Sequence, residues 1–199
     1  MSVPPRGLLV ATPMRFEASL ISRAAPGLAV RRTGIGPRRS RRAAAYLQNA
    51  EPSGMLVVMG FAGGLEPGAR AGEVVIAQEL RGPRGERVPC TGAELLARAL
   101  ADSGVEVRRG VIACAPRPAL GRARARLREE GAIAADMESL WLAQGARGAF
   151  GVVRVIADGP GGAMWHPAQG LARFRQARAA LRASAAALAS WERAERLAG

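Results

Sequence analysis

The chain contains no lysine, one histidine and two cysteines, and aromatic residues make up only 4% of its 199 residues. A single histidine and two widely separated cysteines do not supply the usual ligand set of a zinc site, so no metal site is predicted. Cys90 and Cys114 also lack the spacing of a redox pair. We therefore expect both to be buried, reduced thiols.

All 29 basic residues are arginine, and the formal net charge is +13. A charge of this size is typical of nucleic-acid-binding proteins. However, the arginines are spread over several predicted helices, and the densest cluster, between Arg38 and Arg42, has no interleaved aromatic side chain on which a base could stack. The exclusive use of arginine indicates a compositional bias. We predict no nucleic-acid partner, whereas peripheral contact with an anionic membrane stays open.

Long hydrophobic runs are lacking too, because arginine or glycine interrupts each apolar segment, and this argues against a membrane-spanning helix. The first residues lead directly into an apolar run, Leu8 to Val10, without the features of a signal peptide. A cytoplasmic location is therefore expected. The length predicts one domain over residues 1–199, with a sizeable core.

Short β-branched runs alternate with helical patterns along the whole chain. This alternation predicts an α/β fold, a three-layer α/β/α arrangement in which helices cover both faces of a central, mixed, twisted sheet. Thr91 is predicted to cap a helix, with Glu94 at the capping-box position. The predicted strands are 8–11, 28–33, 55–59, 73–79, 105–113 and 152–158; the predicted helices are 15–23, 40–50, 91–103, 120–130, 140–147 and one beginning at Pro167.

Acidic residues follow two of the apolar runs. Asp136 and Glu138 stand where one run turns into a helix, and Asp158 ends a strand just before a Gly-Pro turn. Ligands of open α/β sheets bind at the carboxyl ends of strands, so these positions are candidates for chemistry. The alternative is that Asp136 and Asp158 merely cap or turn the backbone.

Two glycine-rich segments follow predicted strands. Gly34-Ile35-Gly36 could cradle a phosphate, but Arg39 stands where a dinucleotide-binding fingerprint has its third glycine, so a tight turn is favoured. Gly60 to Leu65 carries three glycines, which allow a ligand to approach the backbone closely or, alternatively, accommodate a bulge.

Five motifs in order along the chain resemble those of the nucleoside phosphorylase/nucleosidase superfamily, and most closely methylthioadenosine/S-adenosylhomocysteine nucleosidases. Asp-Met-Glu-Ser and the later Arg-Val-Ile-Ala-Asp are most similar to a hopanoid-associated branch, which is thought to remove adenine from adenosylhopane. The five motifs are Thr33-Gly34-Ile35-Gly36, Gly60-Phe61-Ala62-Gly63-Gly64-Leu65, Gly72-Glu73-Val74-Val75, Asp136-Met137-Glu138 and Arg154-Val155-Ile156-Ala157-Asp158.

The resemblance implies a role for each matching residue. Glu138 would bind the ribose hydroxyls, and Met137 would pack against the sugar. Asp158 would act as the general acid that protonates the purine at N7, a role that requires a carboxyl group still protonated near the working pH. Glu17 would position and deprotonate the attacking water. An acid and a base on opposite sides of the sugar suit an inverting displacement at C1′.

Departures from the family pattern leave the nucleophile and the base open. Phe61 stands where a small or hydroxyl residue is usual, and Val58 where many phosphorylases carry an arginine for phosphate, although Arg15 could match another such arginine. Water is therefore favoured over phosphate. Phe61, Ala62, Gly63 and Arg15 are expected to contact the substrate.

The purine loop and a predicted lid also differ from the family pattern. Residues 114–118 replace the aromatic-containing loop of the adenine pocket, which leaves the identity of the purine in question. Residues 161–167 have the composition of a lid, in which Met164 and Trp165 could cover an apolar substrate.

The resemblance thus implies a cofactor-independent enzyme that cleaves an adenine nucleoside with a bulky apolar 5′ substituent. The substrate would be a small or lipid-linked nucleoside, and a homo-oligomer is expected. The alternatives are a phosphorylase with inorganic phosphate as co-substrate, a futalosine-type hydrolase acting on a hypoxanthine nucleoside, and a catalytically inactive binding protein.

Overall fold

The computed structural model describes residues 7–50, 54–159 and 167–198, and within them it forms eight strands and six helices. Strands and helices alternate along most of the chain, as the sequence predicts. The strands are β1 (Leu8–Thr12), β2 (Ala29–Arg32), β3 (Met55–Gly64), β4 (Val74–Arg81), β5 (Arg87–Pro89), β6 (Val107–Cys114), β7 (Ala132–Asp136) and β8 (Phe150–Asp158). The helices are α1 (Arg15–Ala24), α2 (Pro37–Ala50), α3 (Ala93–Asp102), α4 (Gly121–Glu129), α5 (Ser139–Ala143) and α6 (Pro167–Ala198).

The strands form one mixed sheet in which β3 pairs with three neighbours. β1 and β8 run parallel to it, and the end of β7 pairs with it antiparallel at Gly63 and Gly64. β8 pairs on its other edge with β4, β4 with β6, and β6 with β7. The strands β3, β8, β4, β6 and β7 therefore close into a ring. The predicted α/β class with a central mixed sheet is confirmed.

Buried β-branched side chains make β3 and β8 the centre of the core. Val57 and Val58 on β3 and Val152 and Val153 on β8 have no accessible surface. Such side chains are stiff and pack well on a pleated surface that is covered on both faces, which explains the nearly continuous apolar runs of both strands.

Helix α6 packs against α1, α3 and β8, whereas α2 packs against α5 and α4 against β7. Leu181 and Leu188 of α6 are fully buried, whereas Leu171 is exposed. The buried carboxylate of Glu192 on α6 accepts a hydrogen bond from the Leu8 amide (2.9 Å), which fixes the end of α6 to the start of the sheet. None of the helices in the described residues is long and apolar enough to cross a membrane.

Several predicted element boundaries are wrong. The sequence did not predict β5 or β7, which have three and five residues. The strand predicted to end at Met59 continues to Gly64, because its glycine segment pairs with β7 and β8. Helix α5 ends at Ala143 rather than at Arg147. Just after its end, the Gly145 amide donates a hydrogen bond to the Leu142 carbonyl (2.8 Å).

The predicted cap of α3 is also wrong. The N-cap is Gly92, and no side chain caps the helix. The Thr91 hydroxyl instead accepts a hydrogen bond from the Phe150 amide at the start of β8 (3.0 Å). Glu94 forms ion pairs with Arg98 and Arg109. A tertiary contact therefore uses the hydroxyl that the local pattern assigned to the cap.

The residues that follow α5 lie close against α2, which leaves little room for a side chain at position 145. A Cβ added to Gly145 would lie 3.0 Å from Ala44 Cα and 3.1 Å from its carbonyl oxygen, both backbone atoms of α2. We expect Gly145→Ala to lower the free energy of unfolding by about 1–3 kcal/mol through overpacking, measured by urea denaturation. Gly27→Ala is the matched control, since a Cβ there meets nothing within 4 Å. Equal stability of the two variants would contradict this account.

Candidate active site

A cavity of about 440 Å³ lies where β1, β3, β7 and β8 end. The carboxyl ends of the parallel strands β1, β3 and β8 lie at the same edge of the sheet, which is the usual place for ligands in α/β folds. The cavity is lined by Pro13, Met14, Phe16, Glu17, Ile35, Phe61, Ala62, Gly63, Pro118, Ala119, Leu120, Arg124, Ala135, Asp136, Met137, Glu138, Ala157, Asp158 and Phe174.

Glu17 projects from the first turn of α1 and is fully buried. Its Oε2 accepts hydrogen bonds from the Thr12 hydroxyl (3.1 Å) and the Met14 amide (2.9 Å), and its Oε1 accepts one from the Phe61 amide (2.7 Å). Burial raises the pKa of Glu17, and these hydrogen bonds together with the charge of Arg154 offset that effect only in part. A carboxylate with a raised pKa is a stronger proton acceptor than an exposed one.

Arg154 on β8 is fully buried and forms ion pairs with acidic groups of the site. Its Nε and Nη2 donate to Asp136 Oδ2 (2.9 and 2.6 Å), and its Nη2 also donates to Ser139 Oγ (3.1 Å) and lies 3.4 Å from Glu138 Oε2. Its Nη1 donates to the Phe61 carbonyl (3.4 Å). One guanidinium therefore connects β7, β8, β3 and the start of α5.

The two carboxylates beside Arg154 respond differently to burial. Burial disfavours the charged form of Asp136, but Arg154 and the Ser139 hydroxyl hold its pKa below the ordinary value. Burial raises the pKa of Glu138, which Arg154 only partly offsets, and the Asp136 carboxylate raises it further. Although burial opposes the charge of Arg154, the surrounding carboxylates raise its pKa and keep it a cation.

Asp136 also supports the backbone around α5. It accepts hydrogen bonds from the Ser139 hydroxyl and from the amides of Glu138 and Ser139 (both 3.3 Å). The turn-forming role that the sequence left as an alternative for Asp136 is thus present beside its ion pair. The side chain of Glu138 reaches the loop of residues 33–36, which we call the glycine loop. There its Oε1 accepts a hydrogen bond from the Gly36 amide (3.0 Å).

The glycine loop bends at Ile35 and Gly36. Gly34 and Gly36 both have φ +87°, a left-handed conformation that favours glycine. Because its amide is used by Glu138, Gly36 serves to orient this carboxylate. The sequence-based preference for a turn over a dinucleotide fingerprint agrees with these angles.

Asp158 lies at the other end of the cavity, where the pairing of β3 with β8 is irregular. The register shifts so that Ala62 pairs with Ile156 but Gly63 with Asp158, which leaves Ala157 as an extra residue on β8. Such a bulge re-aims the side chains that follow it. Asp158 is 24% exposed in its side chain, and its Oδ2 forms an ion pair with Nη2 of Arg124 (3.1 Å).

Three of the four phenylalanines of the chain line the cavity and contact one another. The ring centroids are 5.4 Å apart for Phe16 and Phe174, 6.3 Å for Phe61 and Phe174, and 6.5 Å for Phe16 and Phe61. The Arg178 guanidinium lies over Phe16 (5.3 Å) and Phe174 (5.8 Å). This cluster gives the cavity an aromatic wall beside Glu17.

The structure brings seven of the eight predicted site residues to this cavity: Glu17, Phe61, Ala62, Gly63, Met137, Glu138 and Asp158. Arg15 is the exception, since it is exposed and does not line the cavity. Residues two apart on a helix point in nearly opposite directions, so the inward direction of Glu17 turns Arg15 outward. Val58 is a core residue. Met164 and Trp165 of the predicted lid lie outside the described residues.

Sequence reasoning missed three contributors to the site. Arg154 was part of a quoted motif without a role, although a cation inside a β-branched run signals a buried acidic partner. Phe174 was predicted only as part of the helix that begins at Pro167. Arg124 carried no signal, because α4 is rich in arginine. The prediction of two buried thiols is confirmed, and burial raises the pKa of Cys90 to about 12.

The sequence profile of the Phosphorylase superfamily matches residues 14–190. The chain therefore belongs to this superfamily, as its motifs predict. No curated protein sequence matches the chain significantly.

Solved structures show the same fold at low sequence identity. A Helicobacter pylori 5′-methylthioadenosine/S-adenosyl homocysteine nucleosidase variant, with 5′-methylthioadenosine in its active site, has a TM-score of 0.76 at 16% identity, covering 93% of this chain and 97% of its own. The Neisseria meningitidis nucleosidase gives 0.72 at 20% identity (96% and 99%). A futalosine hydrolase variant from Helicobacter pylori gives 0.77 at 15% identity (92% and 98%).

The raised pKa of Glu17 predicts a pH-dependent stability. A carboxyl with a folded-state pKa above its ordinary 4.5 stabilises the fold below that pH, and this contribution is lost as the pH rises through the folded-state pKa. Since glutamine does not titrate, we expect the stability of Glu17→Gln relative to the wild type to increase with pH, by at most about 1.4 kcal/mol per pH unit. Urea denaturation between about pH 4 and pH 8 measures this difference.

The control for this experiment is Glu106→Gln, which changes an exposed glutamate. Its stability relative to the wild type should vary much less over the same range. A flat difference for Glu17→Gln would show that burial does not perturb this carboxyl.

Proposed function

We propose that the protein hydrolyses the N-glycosidic bond of a purine nucleoside that carries an apolar 5′ substituent. One observation carries the proposal: Glu17, Glu138 and Asp158 line the same cavity, and each lies in a different chemical setting. Glu17 is buried and hydrogen-bonded by three donors, Glu138 is fixed by Gly36, and Asp158 faces Arg124. The nucleosidases and the futalosine hydrolase with the same fold support this reaction class.

Glu17 and Asp158 lie against different glycines of β3. A Cβ at Gly60 would lie 2.6 Å from Glu17 Oε1, and one at Gly63 would lie 3.2 Å from Asp158 Oδ1. A base and an acid at different positions along one strand suit an inverting reaction, in which water attacks the sugar from the side opposite the leaving base.

In this reaction the water oxygen bonds to C1′ as the bond from C1′ to N9 breaks, and the electron pair of that bond passes to the purine. N7 takes up a proton through Asp158, which regains one from solvent, and the purine leaves as a neutral group. Glu17 accepts the proton that the water loses. Glu138 binds the ribose hydroxyls, and its negative charge stabilises the oxocarbenium-like sugar.

The charges around the cavity favour water over phosphate as the nucleophile. Glu17, Asp136, Glu138 and Asp158 are lining residues, and Arg124 is the one cation among the described lining residues. Arg154 contributes one more charge behind them, but three carboxylates already share it. A phosphate dianion would be repelled beside Glu17, whereas a water would not.

The aromatic wall and an apolar mouth support a nonpolar 5′ group. Phe16, Ile35 and Leu120 line the cavity and are nevertheless 37%, 47% and 67% exposed. Apolar side chains that remain exposed around a cavity mark a binding surface. Adenosylhopane, implied by the resemblance, fits this character and stays a prediction. Homo-oligomer formation, cytoplasmic location and peripheral membrane contact also stay predictions.

Asp158→Asn tests the general acid. Asparagine cannot donate a proton to N7 in the same way, so we expect purine release to fall by about 10²- to 10⁴-fold. Chromatography of the base released from 5′-methylthio- and hopane-substituted nucleosides, with and without phosphate, measures it. The wild type should release base equally in both conditions. Asp102→Asn, which changes an exposed aspartate at the end of α3, is the control.

Other outcomes of this assay would redirect the proposal. Base release that requires phosphate would identify a phosphorylase. Undiminished release by Asp158→Asn would remove the proposed acid. Release from no purine nucleoside would favour a catalytically inactive binding protein.

Glu138→Gln tests the ribose contact. Hydrogen bonds to charged groups contribute about 1.5–3 kcal/mol, so nucleoside affinity should fall by roughly 10- to 100-fold. The affinity for the free base should change much less, because the base lies toward Asp158. Isothermal titration calorimetry with a nucleoside analogue and with the free base compares the two. Equal losses would argue against a ribose contact.

A further inference from the structure

Arg124 differs from the other arginines of its helix. No residue of α4 is fully buried, and Arg122, Arg126 and Arg128 are exposed. The side chain of Arg124 is only 12% exposed, and it lines the cavity. An arginine that is withdrawn from water loses hydration, so its position requires compensating partners.

The partners in the structure compensate this loss only in part. Nη2 of Arg124 bonds Asp158 Oδ2 (3.1 Å), whereas its Nε is buried without a hydrogen-bond partner among the described residues. A Cβ at Gly63 would lie 2.5 Å from Nη2, so glycine is needed there for the guanidinium to lie against β3. A buried donor without a partner is costly in the absence of a ligand.

The position of Arg124 bears on which base the site accepts. Asp158 is the proposed acid for N7, and the purine substituent next to N7 is the one at C6. In 6-oxopurines this substituent is a carbonyl oxygen, so O6 and N7 are adjacent acceptors, whereas adenine presents an amino donor beside N7. A guanidinium has five donors and no acceptor.

We propose that Arg124 is a specificity-determining residue that selects a 6-oxopurine, such as hypoxanthine, over adenine. Arg124 donates a hydrogen bond to O6 while Asp158 contacts N7, where the proton is transferred. Adenine instead presents an amino donor at this position, and the guanidinium, which has no acceptor, cannot bond it. This inference rests on the proposed function, and it departs from the adenine that the family resemblance implies.

The test compares two nucleosides that differ only at C6, 5′-methylthioinosine and 5′-methylthioadenosine. We expect the wild type to favour the inosine in kcat/KM by about tenfold or more, the discrimination of one well-made base contact. Arg124→Ala should bring this ratio close to one, and Arg124→Lys, which keeps a cationic donor, should restore part of it. Arg122→Ala removes an exposed charge from the same helix and should leave the ratio unchanged.

A ratio is the decisive readout, because a merely structural loss lowers both rates together. A wild-type preference for the adenosine, or the same ratio in the wild type and Arg124→Ala, would overturn the inference and leave the proposed hydrolysis standing.

Calorimetry with free hypoxanthine and free adenine tests base selection without turnover. Tighter binding of hypoxanthine by the wild type, by about tenfold and lost in Arg124→Ala, supports the inference even if neither nucleoside is cleaved. Absence of cleavage would then refute the proposed function alone. Equal affinity for the two bases would overturn the inference.

Discussion

The site depends on the buried guanidinium of Arg154. Asp136 and Glu138 are taken out of water within its reach, and its charge also acts on Glu17. Burying a carboxylate is costly unless a cation and hydrogen bonds compensate, so these acids can occupy one cavity only because Arg154 lies behind them. Asp136 comes from β7 and Glu138 from the start of α5, so their ion pairs with Arg154 also join these elements to β8. The same guanidinium therefore holds these elements together and keeps the acidic groups of the site in one place.

Strand β3 provides the space that this arrangement needs. Gly60 leaves room for Glu17 and Arg154, and Gly63 leaves room for Arg124 and Asp158. A side chain at either glycine would displace an ionisable group from the cavity. The same strand also supplies the Phe61 amide that bonds Glu17 and the Phe61 carbonyl that accepts from Arg154. The glycine segment is thus a spacer that sets how far apart the two ends of the site lie.

The sequence predicted most of the strands, and seven of its eight candidate site residues line the cavity. Both results follow from local patterns in the sequence. Local patterns located β1, β2, β3, β4, β6 and β8, and the motifs pointed to residues that meet at the strand ends. What it missed depends on tertiary context. β7 is a short, alanine-rich run whose pairing with β3 and β6 makes it a strand. Thr91 has the chemistry of a cap but bonds Phe150 instead. The single inward arginine of α4 cannot be recognised among its neighbours without knowing which helix face meets the cavity.

The distribution of charge along the cavity gives the substrate a direction. At one end Glu17, Asp136 and Glu138 share Arg154, which favours developing positive charge on a sugar and disfavours an anion. At the other end Arg124 faces Asp158, which suits a polar heterocycle with acceptors on its edge. The phenylalanine cluster and the exposed apolar side chains offer a nonpolar surface for a substituent that neither charged end would bind. In the proposed function, a nucleoside lies along these environments in one orientation, with its base toward Arg124, its ribose at Glu138 and its 5′ group against the aromatic wall. In the reverse orientation the base would lie among buried carboxylates and the apolar group beside an ion pair. Both placements would desolvate polar groups without giving them new hydrogen-bond partners.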